Sequence, residues 1–108
     1  MLRIYAVVLL MVADVAKIAK QIERHDRDLA REARTAASSV ALNTAEGAGN
    51  TGGHKRERYQ TALGSAREAL SCVHVAQANA YIGKVDAEVL DRFNHVIGTL
   101  VRLVYPRV

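Results

Sequence analysis

Apolar side chains recur at intervals of three and four residues through four successive stretches of the chain, and this spacing constrains the fold more than any other feature. The stretches cover about residues 3–25, 27–46, 54–80 and 86–104. In an α-helix, such spacing gathers the apolar residues on one face, which packs against other helices at a shallow angle. Short connections between four such helices predict a single all-α domain over residues 1–108, an antiparallel up-down-up-down four-helix bundle.

Each predicted helix contributes one seam of residues to the core. The seams are Val8, Met11, Val15, Ile18 and Ile22 in the first helix, Leu29, Ala33, Ala36 and Val40 in the second, Tyr59, Leu63, Ala66, Leu70, Val73, Gln77 and Ala80 in the third, and Val89, Phe93, Val96, Leu100 and Leu103 in the fourth. The next seam position of the second helix is the polar residue Asn43.

Alanine is the most characteristic residue, with 18 copies among 108 residues, while proline occurs once and tryptophan is absent. This composition favours helices, and the missing turn punctuation excludes a β-sandwich or barrel. The single Cys72 excludes an internal disulfide and a cysteine-based zinc site, and it fits a reducing, cytoplasmic compartment. A formal net charge of +4 is compatible with a polyanionic partner.

The first predicted helix begins with an unbroken apolar run, residues 4–13. The run is shorter than the ~20 residues that span a bilayer, and its apolar spacing continues to Ile22, unlike that of a cleaved signal peptide. It has more apolar faces than one bundle core can bury. We therefore expect no membrane partner, and we expect a homo-oligomer whose contacts include this helix.

Two motifs suggest chemistry that their context does not favour. Residues 47–52 match G-x-G-x-x-G, but they follow a helix rather than a strand, so we expect a loop between helices and no dinucleotide cofactor. A phosphate-binding role for the backbone N–H groups at the start of the third helix stays open as a possibility.

Arg67 and His74 lie two helical turns apart and resemble the pair of HEPN-type ribonucleases, although an ion-paired arginine and a half-buried histidine are expected more often. The four histidines are dispersed, so no metal site is predicted.

Polar residues cluster at the end of the second helix, at Ser38, Ser39, Asn43 and Glu46. An unpaired amide at a seam position is costly, so we expect Asn43 to bond the loop backbone or a neighbouring helix. A carboxylate near a helix C-terminus needs a basic partner, and Arg67 or a base at the start of the third helix can supply one to Glu46. The sequence predicts a structural polar clasp between the second and third helices.

A basic cluster, residues 54–58, opens the third helix. Cations at a helix N-terminus oppose the helix dipole, so they do not serve the stability of that helix. Lys55, Arg56 and Arg58 are therefore candidates for sequence-independent contact with RNA or DNA phosphates. A solvated face, or one paired with another subunit, is the alternative.

Two segments carry a family resemblance: residues 38–49, read as S-S-V-A-L-N-T-A-E-G-A-G, and residues 62–68, read as A-L-G-S-A-R-E. With Ala80-Tyr81-Ile82, they resemble the bacterial four helix bundle protein family, which includes proteins encoded by intervening sequences in large-subunit ribosomal RNA genes. The motif residues are Ser39, Asn43, Glu46, Gly47, Gly49, Gly64, Ser65, Arg67 and Glu68. Threonine at Thr44 departs from the usual isoleucine of the family, and His74 is not characteristic of it.

The resemblance implies a four-helix bundle that assembles into a ring-like homopentamer. A more distant relative, the accessory variability determinant of diversity-generating retroelements, binds a reverse transcriptase and nucleic acid, which implies partners of that kind. The motif is not a catalytic signature. We therefore expect a non-enzymatic oligomeric interaction protein, with a HEPN-like ribonuclease using Arg67 and His74, or a purely structural assembly module, as alternatives.

Overall fold

The computed structural model describes residues 2–50 and 52–106. They form four helices, α1 (Arg3–Glu23), α2 (Arg27–Gly49), α3 (Gly52–Ala78) and α4 (Ala87–Val104), and no strand occurs in these ranges. The prediction of an all-α fold is confirmed. The bundle measures 43 × 24 × 20 Å along its principal axes.

The helices pack in a ring in which α1 contacts α2 and α4, while α3 contacts the same two helices from the opposite side. Cross-helix pairs fix the directions. Along α2 and α3 the paired residues run in opposite order, from Glu32–Cys72 through Ser39–Ser65 to Glu46–Arg58. Arg56 at the start of α3 reaches Val104 at the end of α4. Helix α3 is therefore antiparallel to both α2 and α4.

The connection between α2 and α3 differs from the expected loop over residues 47–53, and that prediction is wrong. Helix α2 continues through Gly47 to Gly49, and α3 begins at Gly52, so only Asn50 and Thr51 intervene. Thr51 lies outside the described residues. The side-chain amide of Asn50 donates to the Glu46 carbonyl at 2.6 Å and so satisfies one of the free carbonyls at the end of α2.

Local hydrogen bonds set the other helix ends. The Asp26 carboxylate accepts from the Leu29 N–H at 2.9 Å and caps α2. Asp86 precedes α4, but its side chain makes no capping hydrogen bond. Helix α3 stops before the predicted Ala80 because Ala80 adopts a left-handed φ of 58°, which lets the Tyr81 N–H bond the Ala76 carbonyl at 2.9 Å.

The core matches the predicted seams most closely in α1, where all five seam residues are buried. In α2 the buried stripe continues past Val40 to Thr44 and Gly47, while Asn43 lies at its edge. In α3 the seam ends earlier than predicted, since Gln77 and Ala80 are exposed. None of the helices in the described part of the chain is long and apolar enough to span a membrane.

Candidate functional site

The motif residues of α2 and α3 meet in a polar cluster on the outside of the α2–α3 contact. The hydroxyls of Ser39 and Ser65 share a hydrogen bond of 2.7 Å between the two helices. The Asn43 amide donates to the Ser39 carbonyl at 2.9 Å and to the Ser39 hydroxyl at 3.1 Å. The amide thus bonds its own helix one turn back, and the two serines make the link to α3.

Arg58 supplies the second link between these helices. Its Nε lies 2.9 Å from the Glu46 carboxylate, and its Nη1 donates to Asn43 Oδ1 at 3.4 Å. Sequence alone left Arg67 open as the partner of Glu46, but Arg67 lies exposed in the middle of α3, and Arg58 makes the contact. We call the set Ser39, Asn43, Glu46, Arg58 and Ser65 the hairpin clasp.

Basic residues at the start of α3 contact the two neighbouring helices, α4 and α2. Arg56 Nε donates to the Val104 carbonyl at 3.1 Å, and its guanidinium lies 5.8 Å from the centre of the Tyr105 ring. Arg58 pairs with Glu46, a carboxylate near the end of α2. These cations oppose the dipole of α3, yet they stand beside the C-terminal ends of two antiparallel neighbours, where positive charge is favourable. Lys55 lies 6.0 Å from the Tyr59 ring and is exposed.

Gly47 and Tyr59 form a close contact that the sequence analysis missed. A Cβ at Gly47 would lie 2.5 Å from Cε1 of the Tyr59 ring, so only glycine fits there. Tyr59 is 1% exposed, and burial raises the pKa of its hydroxyl. A glycine kept inside a helix, at a cost of roughly 1 kcal/mol relative to alanine, was the available signal of a close approach.

The other motif residues do not line a common cleft. A Cβ at Gly49 or Gly64 would meet open space, and Glu68 is exposed on α3. Arg67 and His74 are also exposed on α3. The expected half-burial of His74 is therefore wrong.

Two buried hydroxyls lack a hydrogen-bond partner among the described residues, Tyr59 Oη and Thr44 Oγ1. Thr44 occupies a core position of α2 that is fully buried. A hydroxyl without a partner in an apolar site is unfavourable. The isoleucine that the family resemblance gives for this position would avoid that cost.

No group of three or more metal-ligating side chains occurs among residues 2–50 and 52–106. Cys72 is buried, and its thiol donates to the Glu32 carboxylate at 3.5 Å. Burial and this carboxylate raise the pKa of Cys72 to about 12. The thiol therefore stays protonated and unreactive at neutral pH.

The outer surface of α1 exposes apolar side chains along the first half of the helix. Leu9 is 47% exposed and Leu10 is 55% exposed, and the neighbouring Ala6 and Ala13 are exposed as well. No charged residue stands between Arg3 and Asp14. Another exposed leucine, Leu42, lies on α2 and is 69% exposed.

These features define a small helical-bundle protein in which the motif residues Ser39, Asn43, Glu46 and Ser65 belong to a polar link between two helices. The model of the 23S rRNA-intervening sequence protein family matches residues 1–102, and the chain belongs to this family. The family resemblance read from the motif residues is thereby confirmed. No curated protein and no solved structure shows a significant match to the chain.

Replacing Gly47 with alanine is expected to destabilise the bundle by about 1–3 kcal/mol, because the new methyl overlaps the Tyr59 ring. Urea unfolding followed by circular dichroism measures the change. The matched control is Gly64→Ala in α3, where the added methyl meets open space and the gain in helix propensity predicts unchanged or higher stability. Equal effects of both substitutions would show that the Tyr59 contact does not constrain Gly47.

Replacing Asn43 with alanine is expected to lower the free energy of unfolding by about 1–3 kcal/mol, because the Ser39 and Arg58 groups lose a partner at a half-buried site. Asn79→Ala is the control, since the Asn79 amide also donates to the carbonyl four residues back but is exposed. We expect the control to change stability by less than Asn43→Ala does. Intact stability with loss of self-association or of ligand binding would make Asn43 a binding residue.

Proposed function

We propose that the protein is a non-enzymatic, homo-oligomeric interaction protein that assembles through the outer face of α1. The observation that carries the proposal is the exposure of Leu9 and Leu10 within a stretch that has no charge for ten residues, 4–13. Exposed apolar surface of this kind marks an interaction site. The family resemblance supports a homopentamer, and the single free Cys72 fits a cytoplasmic setting.

The hairpin clasp supports a non-enzymatic role. Its polar groups hydrogen-bond one another, and its one carboxylate, Glu46, is held by Arg58. A general base or nucleophile needs an accessible group with a perturbed pKa in a cleft. The groups of the clasp instead join α2 to α3, which is the structural role that we assign to them.

Sequence-independent binding of RNA or DNA is a second proposed function, and the start of α3 is its proposed surface. Lys55 and His54 are exposed there, and the chain has an excess of four positive charges. Arg56 and Arg58 also hold the ends of α4 and α2, so a phosphate would share them with those contacts. In an oligomer, repeated copies of this surface would add their contacts to one polyanion. The resemblance to the accessory variability determinant also supports a protein partner such as a reverse transcriptase.

Replacing Leu10 with aspartate is expected to convert the oligomer into monomers at micromolar concentration, because a charge enters the apolar interface. Light scattering coupled to size-exclusion chromatography measures the mass. Val75→Asp is the matched control, since Val75 is a 46% exposed apolar residue on α3, outside this face, and we expect it to keep the wild-type mass. A monomeric wild type, or an oligomeric Leu10→Asp protein, would overturn the proposal.

Retention of labelled RNA is expected to fall steeply as salt increases, with little dependence on base sequence. Lys55→Glu is the cleanest variant, because Lys55 has no ion pair among the described residues, and the loss of one phosphate contact lowers the log–log salt slope by about 0.7–0.9. Lys84→Glu, an exposed lysine between α3 and α4, is the control. Reversing Lys55, Arg56 and Arg58 together is expected to abolish retention.

The same gel tests the ribonuclease alternative. RNA fragments that disappear in His74→Ala, with retention unchanged, would assign proton transfer to His74 and overturn the non-enzymatic proposal. Retention without fragments supports RNA binding. Absence of both at low salt and micromolar protein would contradict nucleic-acid binding and leave the assembly module.

A further inference from the structure

Helix α1 carries a second stripe with heptad spacing on the side opposite its core seam. Every member of this outer stripe is exposed, and its two halves differ in chemistry. The members are Arg3, Ala6, Leu10, Ala13, Lys17 and Lys20. The first half is apolar after Arg3, the second half is basic, and no acidic residue occurs on the stripe.

The outer stripe of α4 has the same spacing, begins with acidic residues and extends one residue past the helix to Tyr105. Its members, exposed except for the half-buried Gly98, are Glu88, Asp91, His95, Gly98, Arg102 and Tyr105. The stripe begins with two acidic residues, and Glu88 makes only a long 3.4 Å contact with Arg92. Its second half is flanked by the half-buried Ile97 and Val101.

The outer stripe of α1 is unsuited to pack on a second copy of itself. Two such stripes placed antiparallel about Leu10 would set Arg3 of one copy against Lys17 of the other, and neither copy has an acid there to compensate. A parallel alignment would place each basic residue beside the same residue of the other copy. Opposing like charges disfavour both arrangements. The surface that receives α1 is therefore a different one.

We infer that the outer stripe of α1 docks antiparallel on the outer stripe of α4 in a second copy of the chain. In this register Lys17 faces Asp91 and Lys20 faces Glu88. Leu10 faces Gly98, which has no side chain and is flanked by the half-buried Ile97 and Val101. A parallel register would put the two bases against Arg102 and Tyr105 instead. The inference rests on the proposed self-association through α1.

Such an interface joins two different surfaces, so each added copy leaves one α1 stripe and one α4 stripe free. Interfaces of this kind close into a ring when the rotation between copies closes, and form an open filament when it does not. A closed ring would leave neither stripe exposed and would need no capping partner. Helix α1 thus packs into its own bundle with its inner seam and contacts the next copy with its outer stripe.

Two charge-reversed proteins test the inference. One carries Lys17→Glu with Lys20→Glu, and the other carries Glu88→Lys with Asp91→Lys. Each alone would oppose like charges at every interface, and we expect its dissociation constant for self-association to rise at least ~10-fold. An equimolar mixture is expected to assemble again, because copies of the two proteins alternate and every interface regains opposite charges. A single chain with all four substitutions is expected to assemble alone.

The outcomes separate the inference from the proposal on which it rests. If Leu10→Asp leaves the oligomer intact, both are wrong. If Leu10→Asp dissociates it but the α4 variant assembles like wild type, only the inference is wrong, and dissociation by Leu42→Asp would then locate the receiving surface on α2. Circular dichroism of each variant before mixing confirms that the helices are formed. Failure of folded variants to assemble on mixing would also overturn the inference.

Discussion

The close packing of α2 against α3 is the interaction on which the rest of the molecule depends. Alanines occupy most of the facing positions, and small side chains let two backbones approach. Serine side chains are short, so a direct hydrogen bond between Ser39 and Ser65 requires the two helix backbones to lie close together. The same approach brings the Tyr59 ring onto Gly47. The motif residues Ser39, Gly47 and Ser65 are thus accounted for by the short distance between the two helices.

The antiparallel arrangement also explains charges that look misplaced along the chain. A cation at the start of a helix is unfavourable for that helix, but in an antiparallel bundle it stands beside the ends of both neighbours. Arg56 bonds the last turn of α4, and Arg58 pairs near the end of α2. Lys55 lacks such a contact, which makes it the residue of this cluster best placed for an external phosphate. Solvent weakens the exposed Arg58–Glu46 pair to no more than about 1 kcal/mol, so the pair directs the register of the hairpin more than it stabilises the fold.

Heptad spacing predicted the fold class and the α1 seam because burial imposes a periodic pattern that a single sequence displays. The spacing of apolar residues did not predict contacts that depend on how two helices are aligned against each other. The glycines at 47 and 49 suggested a loop, yet α2 continues through them, since packing of Tyr59 on Gly47 offsets the poor helix propensity of glycine. Spacing also did not decide between Arg58 and Arg67 as the partner of Glu46, because both lie on α3 and the choice depends on how α2 and α3 are aligned.

In the proposed assembly, helix α1 would take part in two interfaces. Its inner seam, which includes Val8 and Met11, is buried in the bundle, while the outer stripe, which includes Ala6 and Leu10, has the same kind of spacing on the exposed side. A helix that is buried on one side needs only one apolar stripe, and solvent favours charged residues on its other side. The exposed apolar residues Ala6 and Leu10 of the outer stripe are therefore not accounted for by the bundle. In the proposed assembly, docking on α4 of a second copy would cover them and would pair Lys17 and Lys20 with acidic residues.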